Sequence, residues 1–472
     1  MQALLLAAFY YKIVLLSPQH KTPVTRQNMP ARSFSFIHAA DLHLGAPLAG
    51  LTRQAADLAR ELERATYAAL DNLVALARKT RPAAVLLAGD VCNSESGSAK
   101  AMLSLRDACA ALGDLGITVC MVHGNHDPLT GRGLISWPDN VHVFGGEAVT
   151  CAPIIQDNET LALVHGISHA RREETGNLAD LFRRAAQDIF QIGLLHCQVG
   201  AASGHLPYAP CNIDDLSRAG MDYWALGHVH KRGQVCARPP AWYPGNIQGL
   251  HINEDGPKGC LLVTVCDDQV AAVDFHALAP VEWLNLDVSL DGADTLDAAE
   301  ERIRIALQTA CSAGAALQEA RVVGSNTPGD SAPALTGYLA RLHLAGRTSL
   351  DAKLRGAWGA DVLERLRAWG RELAPFVWIK DLRLDTAAEH DLKAMENRDD
   401  LLGETLRRLN AWQHDPEVLA RLLDGPLDEL YGPRAAQARA AGLLPPTADD
   451  LREQLAEAAR LCVEYLSRPE KS

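Results

Sequence analysis

The chain has 472 residues, of which 48% are hydrophobic and 5% aromatic, and its formal net charge is −13. This length supplies enough apolar material for two or three domains, each with a core of its own. The acidic balance excludes binding to nucleic acid through an overall basic surface, so a polyanionic substrate would need a local source of positive charge, such as metal ions or a basic groove.

We expect residues 1–33 to be an N-terminal extension that is either disordered or the product of an upstream false start, with Met29 as the functional start. Its segment MQALLLAAFYYKIVLL lacks a basic n-region and a small-residue cleavage site, and it is too short to span a bilayer. The eleven cysteines include no CxxC pair, which is typical of free thiols in a reducing compartment. These features together predict a cytoplasmic protein without membrane contact.

Residues 34–279 alternate short aliphatic runs with amphipathic segments, which is typical of a layered α/β domain. The predicted strands are 34–41, 83–90, 117–124, 160–167, 191–197 and 223–228. The predicted helices are 52–79, 99–113 and 178–189, and a hairpin is predicted at 260–276.

The pattern changes after Pro280. Strand-like and helix-like segments over residues 280–385 predict a small α+β domain, a size that is ordinary for an appended module. Residues 386–472 are mostly helical by composition and carry more acid than base. A solvated tail and a docking element for a partner both remain open for this last region.

Polar side chains follow five of the predicted strands where each strand ends, and this edge of an open α/β sheet is where ligands bind. Residues two apart on an extended chain point the same way, which pairs Asp41 with His43 and His228 with His230. Mixed imidazole and carboxylate ligands suit Mn, Fe or Zn better than Ca, and two such metals clamp the oxygens of a phosphoryl transfer. The full set is Asp41, His43, Asp90, Asn125, His126, Asp127, His196, His228 and His230.

The ordered motifs DxH, GD, GNHD, H and GHxH resemble those of the calcineurin-like metallophosphoesterase superfamily. The surrounding text, including FIHAADLHLGAPL and DYWALGHVH, resembles more narrowly the SbcD/YhaO-type DNA repair exonucleases over about residues 34–278. The resemblance implies a four-layer α/β/β/α metallophosphoesterase sandwich at 34–279, a small α+β capping domain at 280–385 and a helical C-terminal region at 386–472. It also implies two divalent metal ions, with Mn²⁺ as the expected metal.

The same resemblance assigns roles to the polar residues. His126 would act on the leaving group as general acid or transition-state stabiliser, with Asp127 in support, and neither would bind metal. The family often has His or Asp three residues beyond the GD aspartate, where this chain has Asn93, which cannot exchange a proton at neutral pH. One metal ion would be held by Asp41, His43, Asp90 and His230, and the second by Asp90, Asn125, His196 and His228.

The expected function is that of a metal-dependent DNA exonuclease, a hydrolase of phosphodiester bonds acting in DNA repair. The resemblance implies DNA and a separately encoded SMC-like or AAA-type ATPase as partners, and a homodimer also remains open. The chain itself has no Walker A sequence, so we expect no ATP hydrolysis by a P-loop in it. A phosphatase or small-molecule phosphodiesterase on the same site is an alternative, because the metal ligands do not encode the leaving group. A second alternative is a scaffold subunit with a structural metal site. The presence of Asn125 and His126 argues against it.

Overall fold

The structure is a computed structural model that describes residues 32–48, 62, 64–93, 99–129, 135–200, 208–322, 335–388, 392–424 and 447–466. Nearly all of the predicted N-terminal extension, and residues 52–61 and 63 of the first predicted helix, lie outside these ranges. The chain divides into two compact units, Met1–Leu250 with Pro257–Pro280 and His251–Gly256 with Val281–Ser472.

The first unit contains two six-stranded sheets. In chain order its strands are β1 (Ser33–Ala39), β2 (Ala84–Ala88), β3 (Thr118–Val122), β4 (Val141–Val143), β5 (Thr150–Gln156), β6 (Glu159–Ile167), β7 (Phe190–His196), β8 (Tyr223–Gly227), β9 (Gly233–Ala237), β10 (Pro240–Tyr243), β11 (Gly259–Cys266) and β12 (Gln269–Ala277). The first sheet has the order β12-β11-β1-β2-β3-β4 and the second the order β5-β6-β7-β8-β10-β9. The predicted strands and the predicted hairpin are confirmed.

The two sheets pack face to face through a buried aliphatic and aromatic core. Phe36 of β1 meets Tyr223 of β8 edge to face, with ring centroids 5.3 Å apart. Phe34 and Phe190 form a second such pair at 5.9 Å. Pairs of this kind add to the stability that comes from burying apolar area. The core therefore fixes one sheet against the other, and with them the ends of their strands.

Helices cover the outer face of the first sheet. Helix α1 (Ala65–Thr80) buries Ala69, Leu73 and Ala77, and it ends where Arg81 adopts a left-handed conformation with φ 48°. Helix α2 (Ala99–Gly113) buries Leu105 in the same apolar cluster. The second sheet is covered by the short helix α3 (Ile213–Ala219) and one 3₁₀ turn. The predicted mixed α/β fold, with layers in the order α/β/β/α, is confirmed.

The predicted helix 178–189 is wrong. Only Leu178–Leu181 forms a turn of 3₁₀ helix, and Phe182 that follows is extended, with φ −75° and ψ 136°. The backbone amides beyond it bond elsewhere: Arg184 donates to the Ala219 carbonyl at 3.1 Å, and Ala185 donates to the Gln191 side chain at 2.8 Å. Tertiary hydrogen bonds have overridden the helical propensity of this segment.

The second unit contains three parallel strands, β13 (Val281–Ser289), β14 (Gly337–Arg347) and β15 (Phe376–Ala387), in that order. The helices among them are α4 (Leu296–Val322), α5 (Asp351–Leu354) and α6 (Ala357–Arg371). Leu342 of β14 packs in one buried cluster with Ile303 of α4 and Leu366 of α6. The strands therefore bury an apolar face against the helices.

The described part of this unit continues with four helices: α7 (Leu392–Glu396), α8 (Leu401–His414), α9 (Pro416–Asp424) and α10 (Ala448–Leu466). Leu406 of α8 and Val463 of α10 belong to a small buried cluster of their own. Among the helices of the described residues, none is both long enough and apolar enough to cross a membrane.

Candidate metal centre

Two loops that leave the first sheet side by side carry the two predicted carboxylates. Asp41 follows β1 and Asp90 follows β2, and both have positive φ, 51° and 48°. Aspartate tolerates this left-handed conformation better than most residues, which is why each strand ends before its aspartate. The loops bond to each other, because the Asp41 amide donates to Gly89 at 3.0 Å and the His43 amide donates to the Asp90 carbonyl at 2.9 Å.

A third loop, after β3, is tied to the second one. The His126 amide donates to Asp90 Oδ1 at 2.8 Å. Asp127 accepts the Gly124 amide on Oδ1 at 2.8 Å and the Val91 amide on Oδ2 at 2.9 Å. These bonds place the intervening Asn125 and His126 beside the Asp90 carboxylate.

The second sheet contributes three histidines to the same place. The backbone amide of His228, just after β8, lies 3.1 Å from both oxygens of the Asp41 carboxylate. His196, the last residue of β7, has its Nδ1 2.9 Å from the Ala88 carbonyl oxygen of β2. Since a carbonyl can only accept, Nδ1 carries the proton and donates it.

The candidate ligand atoms fall into two groups with the carboxylates of Asp41 and Asp90 between them. His43 Nε2 lies 3.1 Å from His230 Nε2 and 3.8 Å from Asp90 Oδ2. His196 Nε2 lies 3.0 Å from Asn125 Oδ1 and 3.4 Å from the same Asp90 Oδ2. Asp41 Oδ1 is 4.0 Å from His230 Nε2 and 3.9 Å from His196 Nδ1. Asp90 Oδ2 and Asp41 Oδ1 therefore each lie within 4.0 Å of a histidine from both groups.

His126 and His228 border this cluster. The His126 ring is half-buried and meets the His43 ring edge-on, with centroids 5.0 Å apart. The His228 ring lies 5.2 Å from the His196 ring and 5.6 Å from the ring of Tyr208. The structure therefore brings all nine residues singled out in the sequence to one edge of the paired sheets.

Burial and mutual charge shift the acid–base properties of the cluster. Burial raises the pKa of Asp41 to about 6, although His196 and His230 oppose the shift. Burial also acts on Asp90, but His196 and His43 outweigh it and hold the pKa of this carboxyl well below its ordinary value. Burial lowers the pKa of His43 to about 4 and that of His228 to about 3.

His196 shows the opposite balance. Burial disfavours its charge, yet the adjacent Asp90 carboxylate raises its pKa to about 9. Buried carboxylates and imidazoles gathered in this way repel or strain one another unless cations or protons compensate them.

The donor set fits divalent metal ions. Carboxylate oxygens and imidazole nitrogens form two groups of three that lie within 4.8 Å, Asp41–His43–His230 and Asp41–Asp90–His196. The amide oxygen of Asn125 adds a further donor, 3.0 Å from His196 Nε2. The bond from His196 Nδ1 to Ala88 orients the ring so that Nε2 faces the other donors, as second-layer bonds do for metal-ligating histidines. A Cβ at Gly124 would overlap the Asp90 carboxylate and the His196 ring, so glycine is needed for this close approach.

Three supporting residues lie outside the set of nine that was singled out in the sequence. His123 Nδ1 lies 3.2 Å from Asp127 Oδ2, and His169 Nε2 lies 2.7 Å from the His196 carbonyl oxygen. Lys258, which is buried, donates from Nζ to the His230 carbonyl at 3.1 Å. The contacts of His169 and Lys258 end on backbone carbonyls of residues distant in sequence, so no motif marks them. His123 and Asp127 are only four residues apart.

Comparison with known proteins agrees with this geometry. Residues 34–232 match the calcineurin-like phosphoesterase model, and residues 283–387 match the model of the metallophosphoesterase YhaO middle domain. The uncharacterized metallophosphoesterase YhaO of Bacillus subtilis (strain 168) is 36% identical over 266 residues, covering 56% of this chain and 65% of that protein. The DNA double-strand break repair protein Mre11 of Aeropyrum pernix is 27% identical over 252 residues, covering 47% of this chain and 56% of that protein. The chain thus spans less than two thirds of the length of these relatives.

Proposed function

The chain carries a calcineurin-like phosphoesterase domain, and from this premise we propose that it is a nuclease that hydrolyses phosphodiester bonds of DNA ends with two divalent metal ions. Mn²⁺ is the expected metal. The observation that carries the proposal is the position of Asp90 Oδ2, 3.8 Å from His43 Nε2 and 3.4 Å from His196 Nε2, between two groups of donors. A single carboxylate so placed can serve two metal ions at once.

The ligands divide between the two groups. Two cations held there would lower the pKa of bound water and offset the charge of a phosphodiester, which the net charge of −13 would otherwise repel. Asp41, His43, Asp90 and His230 would hold one ion, and Asp90, Asn125, His196 and His228 the other.

His126 is the proposed general acid. Its amide is anchored on Asp90 Oδ1 at 2.8 Å, while its half-buried ring stands at the border of the cluster. A histidine in this position can donate a proton to the leaving oxygen, a role worth about 10²–10⁴-fold in rate. Asp127 acts through the backbone, because its carboxylate holds the loop that carries Asn125 and His126.

DNA as the substrate is supported by the similarity to a protein named for double-strand break repair. Residues 283–387, which match the model of the YhaO middle domain, add a module that a hydrolase of small nucleotides would not need. We propose further that the ATPase of an end-processing complex is a separate chain of SMC-like or AAA type, since this sequence has no Walker A motif.

The test is a time course with Mn²⁺ on end-labelled linear duplex DNA, single-stranded DNA and a chromogenic phosphodiester. The full chain is compared with His126→Ala and with His142→Ala, a control histidine on β4 whose ring packs against Phe144. DNA cleavage that is lost only in His126→Ala supports the proposal. Turnover of the small ester alone would indicate a small-molecule phosphodiesterase, and metal binding without any turnover would indicate a scaffold subunit.

A further inference from the structure

One residue outside the predicted ligand set holds both ends of the loop that carries Asn125 and His126. His169 lies two residues beyond β6 and is fully buried. Its backbone amide donates to the His123 carbonyl at 3.0 Å, and its carbonyl accepts the Leu129 amide at 3.1 Å. Residues 124–128 are therefore held at both ends by His169, which lies in the segment that follows β6.

The His169 side chain reaches a different part of the centre. Its Nε2 lies 2.7 Å from the main-chain carbonyl oxygen of His196. Because that oxygen can only accept, Nε2 carries the proton and donates it. The two imidazoles also meet edge-on, with ring centroids 5.4 Å apart. His169 thus links the loop after β3 to the end of β7.

We propose that His169 is a positioning residue that sets the spacing between Asn125 and His196, and hence the geometry of the second metal site. This inference rests on the proposed function. Asn125 Oδ1 and His196 Nε2 lie 3.0 Å apart, yet they come from different sheets. Fixing that spacing requires a tie between the two elements, and His169 supplies it through three hydrogen bonds.

The chemistry of the ring argues against a role in packing alone. His169 Nδ1 is buried and, among the described residues, has no hydrogen-bond partner. A buried polar atom without a partner costs free energy that an apolar side chain would avoid. The contribution of the imidazole therefore lies in its other nitrogen, Nε2, which makes a hydrogen bond to His196 that an apolar side chain could not make.

The substitutions separate the hydrogen bond from the volume of the side chain. His169→Phe keeps the size of a ring without the donor, and His169→Asn keeps polarity but its amide is too short to reach the His196 carbonyl. His169→Gln places an amide N–H near the position of Nε2. His165→Phe is the matched control, since it removes another buried histidine, on β6 itself, that bonds to the Gln191 side chain.

The measurements are Mn²⁺ affinity by equilibrium dialysis and the electron paramagnetic resonance signal of an exchange-coupled Mn²⁺ pair, with thermal unfolding in chelator to check folding. We expect His169→Phe and His169→Asn to bind the second Mn²⁺ about 10–100-fold more weakly and to lose the coupled signal. His169→Gln and His165→Phe should retain it.

Each other outcome overturns one statement. A coupled pair that is unchanged in folded His169→Asn overturns the positioning role, as does a loss in His169→Gln equal to that in His169→Asn. Wild-type protein that shows no Mn²⁺ pair at all contradicts the proposed function itself, which distinguishes the two failures.

Discussion

Asp127 accepts the backbone N–H of Val91 at 2.9 Å, and this bond joins the loop of the shared aspartate to the loop of the proposed general acid. The same carboxylate also accepts the amides of Gly124 at 2.8 Å and Cys92 at 3.3 Å. Three buried amides thus depend on one side chain.

Replacing Asp127 with Ala should destabilise the fold and slow catalysis together. Removing the carboxylate leaves buried N–H groups without acceptors, so we expect the free energy of unfolding to fall by roughly 3 kcal/mol. Asp127→Asn keeps one acceptor oxygen, so its free energy of unfolding should lie between those of wild type and Asp127→Ala. Urea unfolding and phosphodiester turnover measure both effects, with the exposed Asp107→Ala as a control that should change stability by less than about 0.5 kcal/mol. Equal stability of wild type and Asp127→Ala would contradict the proposal that the Asp127 carboxylate holds the two loops together.

Asp90→Asn should weaken the binding of both proposed metal ions. The substitution preserves shape and an oxygen for the His126 amide, but it removes the charge that both donor groups share. We expect the metal content, measured by mass spectrometry after gel filtration, to fall from about two to well below one per chain. Asp107→Asn is the charge-matched control. Retention of one tightly bound ion in Asp90→Asn would show that one group holds its metal without this carboxylate.

His126→Ala should separate metal binding from turnover. Because the side chain is proposed to act on the leaving group, turnover should fall by about 10²–10⁴-fold while metal content remains near two per chain. The two quantities are measured on the same sample. A parallel loss of metal would make His126 a ligand and not a general acid.

His38, which is not one of the candidate metal ligands, should make the stability of the first unit depend on pH. Its Nε2 donates to the Leu226 carbonyl at 3.1 Å, while its Nδ1 accepts the Tyr223 hydroxyl at 3.1 Å. Burial lowers the pKa of His38 to about 3 from the ordinary 6.5, although the bond to Leu226 opposes the shift. The unfolded chain therefore takes up a proton below pH 6.5 that the folded chain excludes, and stability falls by about 1.4 kcal/mol per pH unit until the folded pKa is reached.

The variant that tests this is His38→Gln, whose amide can donate to Leu226 and accept from Tyr223 without titrating. Urea unfolding is measured in chelator at pH 7.5 and 5.5. Between these pH values, the free energy of unfolding of His38→Gln should fall by about 1.4 kcal/mol less than that of wild type. The exposed His414→Gln should behave as wild type. Parallel pH profiles for wild type and His38→Gln would mean that His38 is not held neutral.

A chain that ends at Ala388 should retain hydrolysis of a chromogenic phosphodiester. All nine candidate site residues belong to the first unit, whereas the helices α7 to α10 belong to the second. The cut is placed after β15 because Thr348 donates to the Ala387 carbonyl at 2.9 Å. Circular dichroism controls for folding. Loss of small-ester turnover in a folded truncated chain would make the helical region part of the catalytic fold.

The strands follow from the sequence, because aliphatic runs report local geometry. The expectation that Asp41 and His43 point the same way along an extended chain is wrong, since β1 ends at Ala39 and both residues have positive φ, 51° and 43°. The two side chains reach one site because the loop after β1 turns there. The contacts of His169 and Lys258 do not follow, since each bonds to a backbone carbonyl, and a carbonyl carries no residue identity. The helix expected at 178–189 failed for a related reason, because Arg184 and Ala185 bond to distant parts of the chain.

The pairing of His43 with His230 spans 187 positions of sequence. During synthesis on the ribosome, the first ligand is therefore exposed long before the last one is made, and domains generally fold as units only once their contacts are available. A nascent chain shorter than 230 residues cannot assemble the complete donor set. The two metal ions that we propose can therefore be bound together only after His230 has been synthesised.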